Sequence, residues 1–155
     1  MTQKDKQLLL KDLCARLPYG VKVYNTTFKE PTIQTLYGKI SSDEFLMEET
    51  YTSVGVDGDD FGPFNKRHYT GYIDFIKPYL RPMSSMTEEE KQEQYYYKHD
   101  IMYQGIGAIE IYMNEYINWL DSNHFDWRMD GNNKTLIERG LALVAPKGMY
   151  NIKER

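Results

Sequence analysis

One cysteine among 155 residues excludes a disulfide framework within the chain. The lone thiol, Cys14, agrees with a reducing compartment. Its spacing sets it beside Leu10, Leu13 and Leu17 on one face of a helix. A small buried hydrophobe is the expected role there, and a nucleophile is not. No apolar stretch approaches the ~18 residues that a membrane span needs. The first residues, Met1 to Lys6, are polar and lack the apolar centre of a secretion signal. The expectation is a cytoplasmic protein. Internal repeats and low-complexity linkers are missing as well, so one domain over 1–155 is expected.

Catalytic signatures are equally scarce. There is no G-x-S-x-G elbow, no zincin helix and no paired-cysteine motif. Gln104-Gly105-Ile106-Gly107-Ala108 looks like a phosphate loop but lacks the third glycine, a preceding strand and a Lys-Ser/Thr pair. Glu48 and Glu49 are neighbours, so in a strand they point to opposite faces and cannot flank one glycosidic bond. Asp57, Asp59 and Asp60 invite a cation reading. The EF-hand register fails, because it puts Phe61 at the fifth ligand position and His68 at the twelfth. An irregular cation loop over Asp57–Asp60 stays open. His99 beside Asp100, and His124 near Asp121 and Asp126, offer too few ligands for a metal. His124 reads as an imidazole facing the negative end of a helix. No cofactor and no local catalytic residue is expected. A hydrolase assembled from the distant His68, His124 and Asp57 remains the outlying alternative.

What the chain does have is tyrosine: 14, with 6 Phe and 2 Trp. Tyr joins an apolar body to a polar tip, which suits half-buried sheet faces and contact surfaces. Charge alternates in blocks. Residues 1–40 carry seven Lys/Arg and three Asp/Glu, residues 41–60 carry seven acids and no base, and residues 61–82 return to net +3. The total of −4 argues against non-specific nucleic-acid binding. The alternation fits solvated faces, or patches that guide copies of the chain together.

Periodicity predicts a helix over 3–17 with Leu9, Leu10, Leu13 and Leu17 as its apolar stripe, stopped by Pro18 and turned at Gly20. Four strands are predicted over 21–76: Val21–Tyr24, Ile33–Ile40 with a bulge at Gly38, Phe45–Val56, and Gly71–Ile76. Short links between them favour an antiparallel meander. Residues 57–64 read as a long loop whose Phe61 and Phe64 either fold back or form a contact tip. Lys77–Met83, with Pro78 and Pro82, reads as a stiff connector. Thr87-Glu88-Glu89-Glu90 is a capping box. It opens a helical pair over 88–121, broken near Gly105, whose second helix carries Ile106, Ile109, Met113, Tyr116, Ile117 and Leu120 as its apolar stripe. A short helical turn at Thr135–Arg139 and a last strand at Leu141–Ala145 close the chain.

The most usable polar group is Arg67, His68, Lys77 and Arg81 interleaved with Tyr69, Tyr72 and Tyr79. Arg and Tyr together hold a phosphate and stack a base. The plainer reading is a solvated edge strand guarded by its charges.

Three strings resemble a known group: Lys11–Val21, Ile76–Met86 with the following Thr87-Glu-Glu-Glu, and Gly140–Tyr150. They are similar to small uncharacterised proteins encoded by phages and prophages of gut Bacteroidales. Residues 129–134 look like an insertion relative to that pattern. The resemblance implies an accessory role in an infected or lysogenic cell and names no catalytic residue.

The expected fold is α+β: an N-terminal helix, a small bent antiparallel sheet of four to five strands, and two C-terminal helices packed on it. The expected function is non-catalytic binding of a host or phage protein, or self-assembly, through Tyr-rich surfaces. The alternative is a binder of a small nucleotide or nucleic acid, including a sponge for a host signalling nucleotide.

Overall fold

A computed structural model of the chain describes residues 1–27, 32–51, 65–103, 106–129 and 131–150. The class is α+β, as expected, with three described helices and a mixed seven-stranded sheet.

Helix α1 (Gln3–Arg16) starts where the Thr2 hydroxyl accepts the Asp5 N–H at 3.1 Å. Pro18 does not stop it cleanly. The chain tightens into a 3₁₀ turn over Leu17–Tyr19, and Gly20 at φ 64° makes the reversal. Four antiparallel strands follow: β1 (Lys22–Asn25), β2 (Thr32–Lys39), β3 (Glu44–Tyr51) and β4 (Asn65–Tyr72). The ladder between β2 and β3 slips between Leu36 and Gly38, the bulge expected at that glycine.

Two elements differ from the sequence reading. The fourth strand runs over Asn65–Tyr72, so the basic run Lys66-Arg67-His68 lies inside a strand; half of the segment read as that strand is a 3₁₀ joint, Ile73–Phe75. The stiff connector is itself a strand, β5 (Ile76–Pro82). Proline's fixed φ is compatible with extended backbone. Ile76, Pro78 and Leu80 then alternate inward against β1, with Val23 opposite Pro78.

The expected four to five strands are therefore too few. Beyond the capping box, α2 (Glu88–Tyr103) and α3 (Ile106–Ser122) form an antiparallel hairpin. The chain then adds β6 (Phe125–Asp126) and β7 (Leu143–Val144), both parallel to β5. The strand β7 lies within the last strand expected at Leu141–Ala145; the two that were missed are β5, read as a connector, and β6, whose two residues leave no period to read. Thr135–Arg139 is a hydrogen-bonded turn rather than a helix, and it closes at Gly140 with φ 73°. No described helix is long and apolar enough to cross a membrane.

The sheet curls strongly. In the order β4-β3-β2-β1-β5, two strands separate β4 from β1, yet Asn25 Nδ2 of β1 lies 3.4 Å from the Thr70 carbonyl of β4. The approach requires glycine at position 71. A Cβ there would stand 3.0 Å from Met47 Cε and 3.1 Å from both Asn25 Oδ1 and Thr27 Oγ1. Gly71→Ala is expected to destabilise the fold by about 1–3 kcal/mol in urea melts. An unchanged midpoint would mean that the sheet is open at this end.

The concave side buries Val23, Leu36, Phe45, Met47, Ile76 and Leu80 against Leu9 and Leu13 of α1 and Leu136. Cys14 is half-buried beside this core, as its spacing suggested. The C-terminal helices do not cover the sheet. They pack on each other and, at their base, around Met86, Trp119, Leu120 and Phe125.

Candidate interaction surface

The buried charges were invisible in the sequence reading, which gave α1 only its leucine stripe. Asp12 and Arg16 are fully buried, on the same side of the helix as Leu9 and Leu13. Arg16 Nε donates to Asp12 Oδ2 at 2.8 Å. Arg128 donates to Asp12 Oδ1 at 2.7 Å and grips both Asp121 oxygens at 2.8 and 2.7 Å. Trp127 Nε1 adds a bond to Asp121 at 2.9 Å. Burial opposes the Arg128 charge, but its hydrogen bonds to Asp121 and the Asp12 charge outweigh it and hold its pKa above the ordinary value. Two acids and two bases cancel, and all four carboxylate oxygens are engaged. These bonds tie α1, the end of α3 and the segment after β6 into one frame.

Two further buried acids do similar work. Asp126 accepts the backbone N–H groups of Leu136 and Ile137 at 3.2 and 3.1 Å, which fixes the 135–140 turn; burial pushes its pKa up. Glu90 grips Arg81 through two bonds at 2.6 and 2.8 Å and accepts the Thr87 N–H at 3.0 Å, completing the capping box.

The imidazoles proposed for a dispersed hydrolase are not together. His124 is buried after α3, at φ 60°, its ring stacked on Tyr150 with centroids 3.9 Å apart. His68 lies on exposed β4, at the other end of the strand order, with Nδ1 3.0 Å from the Tyr37 hydroxyl. Asp57 falls outside the described residues, as do the Asp57–Asp60 loop and the contact candidates Phe61 and Phe64. Among the described residues no three His, Cys, Asp or Glu gather to hold a metal ion.

The convex side of the sheet is the surface left open. Register places Lys22, Thr35, Glu48 and His68 in one row across β1 to β4, and Lys77, Tyr24 and Ile33 in the next. Tyr37 overhangs His68 edge-on, their centroids 5.7 Å apart. Lys22 Nζ bonds Thr35 at 3.1 Å and Lys66 Nζ lies 3.4 Å from Glu48. Ile33, Tyr37 and Tyr72 are 40–47% exposed. Burial pushes the Tyr79 phenol up, and nearby Tyr24 adds to it.

Of the seven candidate binding residues, His68, Tyr72, Lys77 and Tyr79 alternate onto this convex side. Arg67 and Tyr69 turn to the other side of β4, where the Tyr69 hydroxyl donates to Glu49 at 3.1 Å. Arg81 is buried on Glu90 and stacked over Phe125 at 4.4 Å, so it is no surface cation. Tyr24, Ile33, Tyr37 and Lys22 were missed. Each lies in a different strand or row from the residues it joins, and only strand register brings them together.

A cleft of about 380 Å³ opens beside β5, lined among others by Pro82, Thr87, Val144, Pro146 and Lys147. Tyr150 closes its floor. Its hydroxyl accepts the Lys22 N–H at 2.9 Å and donates to the Tyr79 carbonyl at 2.7 Å, bridging β1 and β5.

No family model, no curated protein and no solved structure matches the chain.

Proposed function

We propose that this is a non-catalytic binding protein that engages another protein through the convex side of its sheet. The observation that carries the reading is where the aromatic residues lie. Tyr37 and Tyr72 are exposed and Tyr24 is half-buried, all three among cations on the open face. The buried acids meanwhile serve the frame. Large amphipathic rings on a rigid sheet are what protein interfaces concentrate. The resemblance to phage and prophage proteins supports an accessory role that acts on a protein of the infected cell.

Lys66, Lys77 and His68 beside Tyr24, Tyr37 and Tyr72 support a second reading, a platform that stacks a base and neutralises phosphate.

Capture from a bacterial host lysate tests the first reading. Wild-type protein is expected to retain a defined protein, and Tyr37→Ser with Tyr72→Ser to weaken that capture about 30-fold, the effect of losing a hot spot of about 2 kcal/mol. Equal capture by both moves the contact off this face. A thermal shift with mono-, di- or cyclic nucleotides that Lys77→Ala removes would favour the second reading instead.

A further inference from the structure

The structure assigns the cleft beside β5 to a small, flat, apolar acid, an inference independent of the sheet-face reading.

A cleft binds well when its walls are fixed before the ligand arrives. Here each wall is bonded in place. At the end of β5, the Arg81 N–H donates to the His124 carbonyl at 2.8 Å. The 3₁₀ turn Met83–Ser85 follows, where the Ser85 hydroxyl donates to the Pro82 carbonyl at 2.7 Å. Thr87, locked with Glu90 in the capping box, continues that side. The remaining wall is the segment from Val144 to Tyr150. Its start is held by the Ala145 N–H on the Leu80 carbonyl at 2.8 Å. Its end is held by Tyr150, through two backbone bonds and the stack on His124. Small residues keep the space open. Ser85 and Ala145 line it, and so does Gly148, where a Cβ would meet nothing within 4 Å. The resulting 380 Å³ falls at the small end of ligand pockets.

The lining selects the chemistry. Pro82, Pro146 and Tyr150 contribute rigid rings, and Val144, 56% exposed, adds an aliphatic surface. A flat ring system covers such surfaces and loses little rotamer freedom in doing so. Two cations line the cleft, and they are not equivalent. Arg81 is buried and spends its charge on Glu90. Lys147 has no carboxylate partner among the described residues. The nearby Glu88 is paired with Lys91 at 2.9 Å. The Thr87 hydroxyl accepts the Glu90 N–H at 3.1 Å, which leaves its own proton to donate. An ammonium and a hydroxyl donor on different walls suit one carboxylate on the ligand. A cationic ligand meets two like charges instead.

Three probes that share one ring system test this: naphthoate, naphthalenemethanol and naphthylmethylamine, titrated into the full chain and followed by amide chemical shifts in NMR. Naphthoate is expected to saturate with a dissociation constant of about 0.1–1 mM, ordinary for a ligand of this size. The shifts are expected at Thr87, Val144, Ala145 and Gly148. The alcohol is expected to bind about fivefold more weakly, and the amine more weakly still. Lys147→Ala should bring naphthoate down to the level of the alcohol and leave the alcohol unchanged. Val144→Trp, which fills the cleft from an exposed position, should abolish both. An unchanged amide spectrum away from the cleft confirms that each variant is folded. Absence of saturable shifts up to about 5 mM overturns the inference, as do shifts centred on the convex face. Equal binding of the three probes, or naphthoate binding that Lys147→Ala leaves intact, overturns the choice of an acid.

Discussion

Asp12→Ala is expected to cost about 3–5 kcal/mol of folding stability, the range for removing one partner of a buried ion pair. The residue is fully buried, and two guanidinium groups depend on it. Arg128 keeps its two bonds to Asp121, so Arg16 bears most of the damage. Its Nη2 donates to the Phe125 carbonyl, its nearest remaining carboxylate oxygen is 3.7 Å away on Asp121, and its Nη1 has no protein partner. Against a total of roughly 5–15 kcal/mol, such a loss brings the chain close to unfolding at growth temperature. Removing the stranded charge along with its partner should recover part of it. The double variant Asp12→Leu with Arg16→Met is expected to be more stable than the sum of the two single losses predicts. Urea melts of the four proteins give the coupling directly. Strict additivity, or a single loss below about 1 kcal/mol, would mean that these charges reach water in solution.

Glu90→Gln comes next, at about 3 kcal/mol, because it removes the counter-charge of a guanidinium only 7% exposed. The amide also weakens the capping box at the start of α2, so the loss has a local signature: faster hydrogen exchange over the first turn after Thr87. The charge adds a pH dependence. Burial raises the Glu90 pKa, but the bonds from Arg81 and Thr87 prevail and hold it below the ordinary 4.5. A folded-state value below the unfolded one means that the unfolded chain binds more protons in that window. The stabilisation is therefore complete above the unfolded pKa and disappears as pH falls through the lower folded value. Asp126 runs the other way. Its pKa is raised above the ordinary 3.8, so the folded state binds more protons and stability declines as pH rises from there through the folded value. The difference between wild type and Glu90→Gln, followed from about pH 6 downward, isolates the first effect. It should shrink on acidification; a constant difference would show that Arg81 and Glu90 are not paired as ions.

The convex face was half legible in advance. His68, Tyr72, Lys77 and Tyr79 stood out as cations and rings close together in sequence. Arg67 and Tyr69 stood out for the same reason and turned away, since successive strand residues alternate sides. Had the strand been read as starting at Asn65, that alternation would have separated the two sets. Tyr24 and Ile33 could not be added from any local pattern, because their place beside Lys77 is a matter of which strands pair. Arg81 was misread as a surface cation because nothing near it in sequence betrays that Glu90, nine residues on, comes back to meet it in the interior.

What the sequence settled alone is what neighbours along the chain enforce. The helical period of α1, the reversal at Gly20, the bulge at Gly38, the capping box of Thr87 and Glu90, and the opposed directions of Glu48 and Glu49 all follow from local geometry. The tertiary structure decided the rest. Asp12 joins Arg128 across 116 positions, Pro78 lies within a strand because β1 pairs with it, and Met113 stays in water because the hairpin outruns the core. A residue's own spacing records which side of an element it occupies. Whether that side meets a partner, a charge or solvent depends on segments far away in the chain, and no local pattern carries that information.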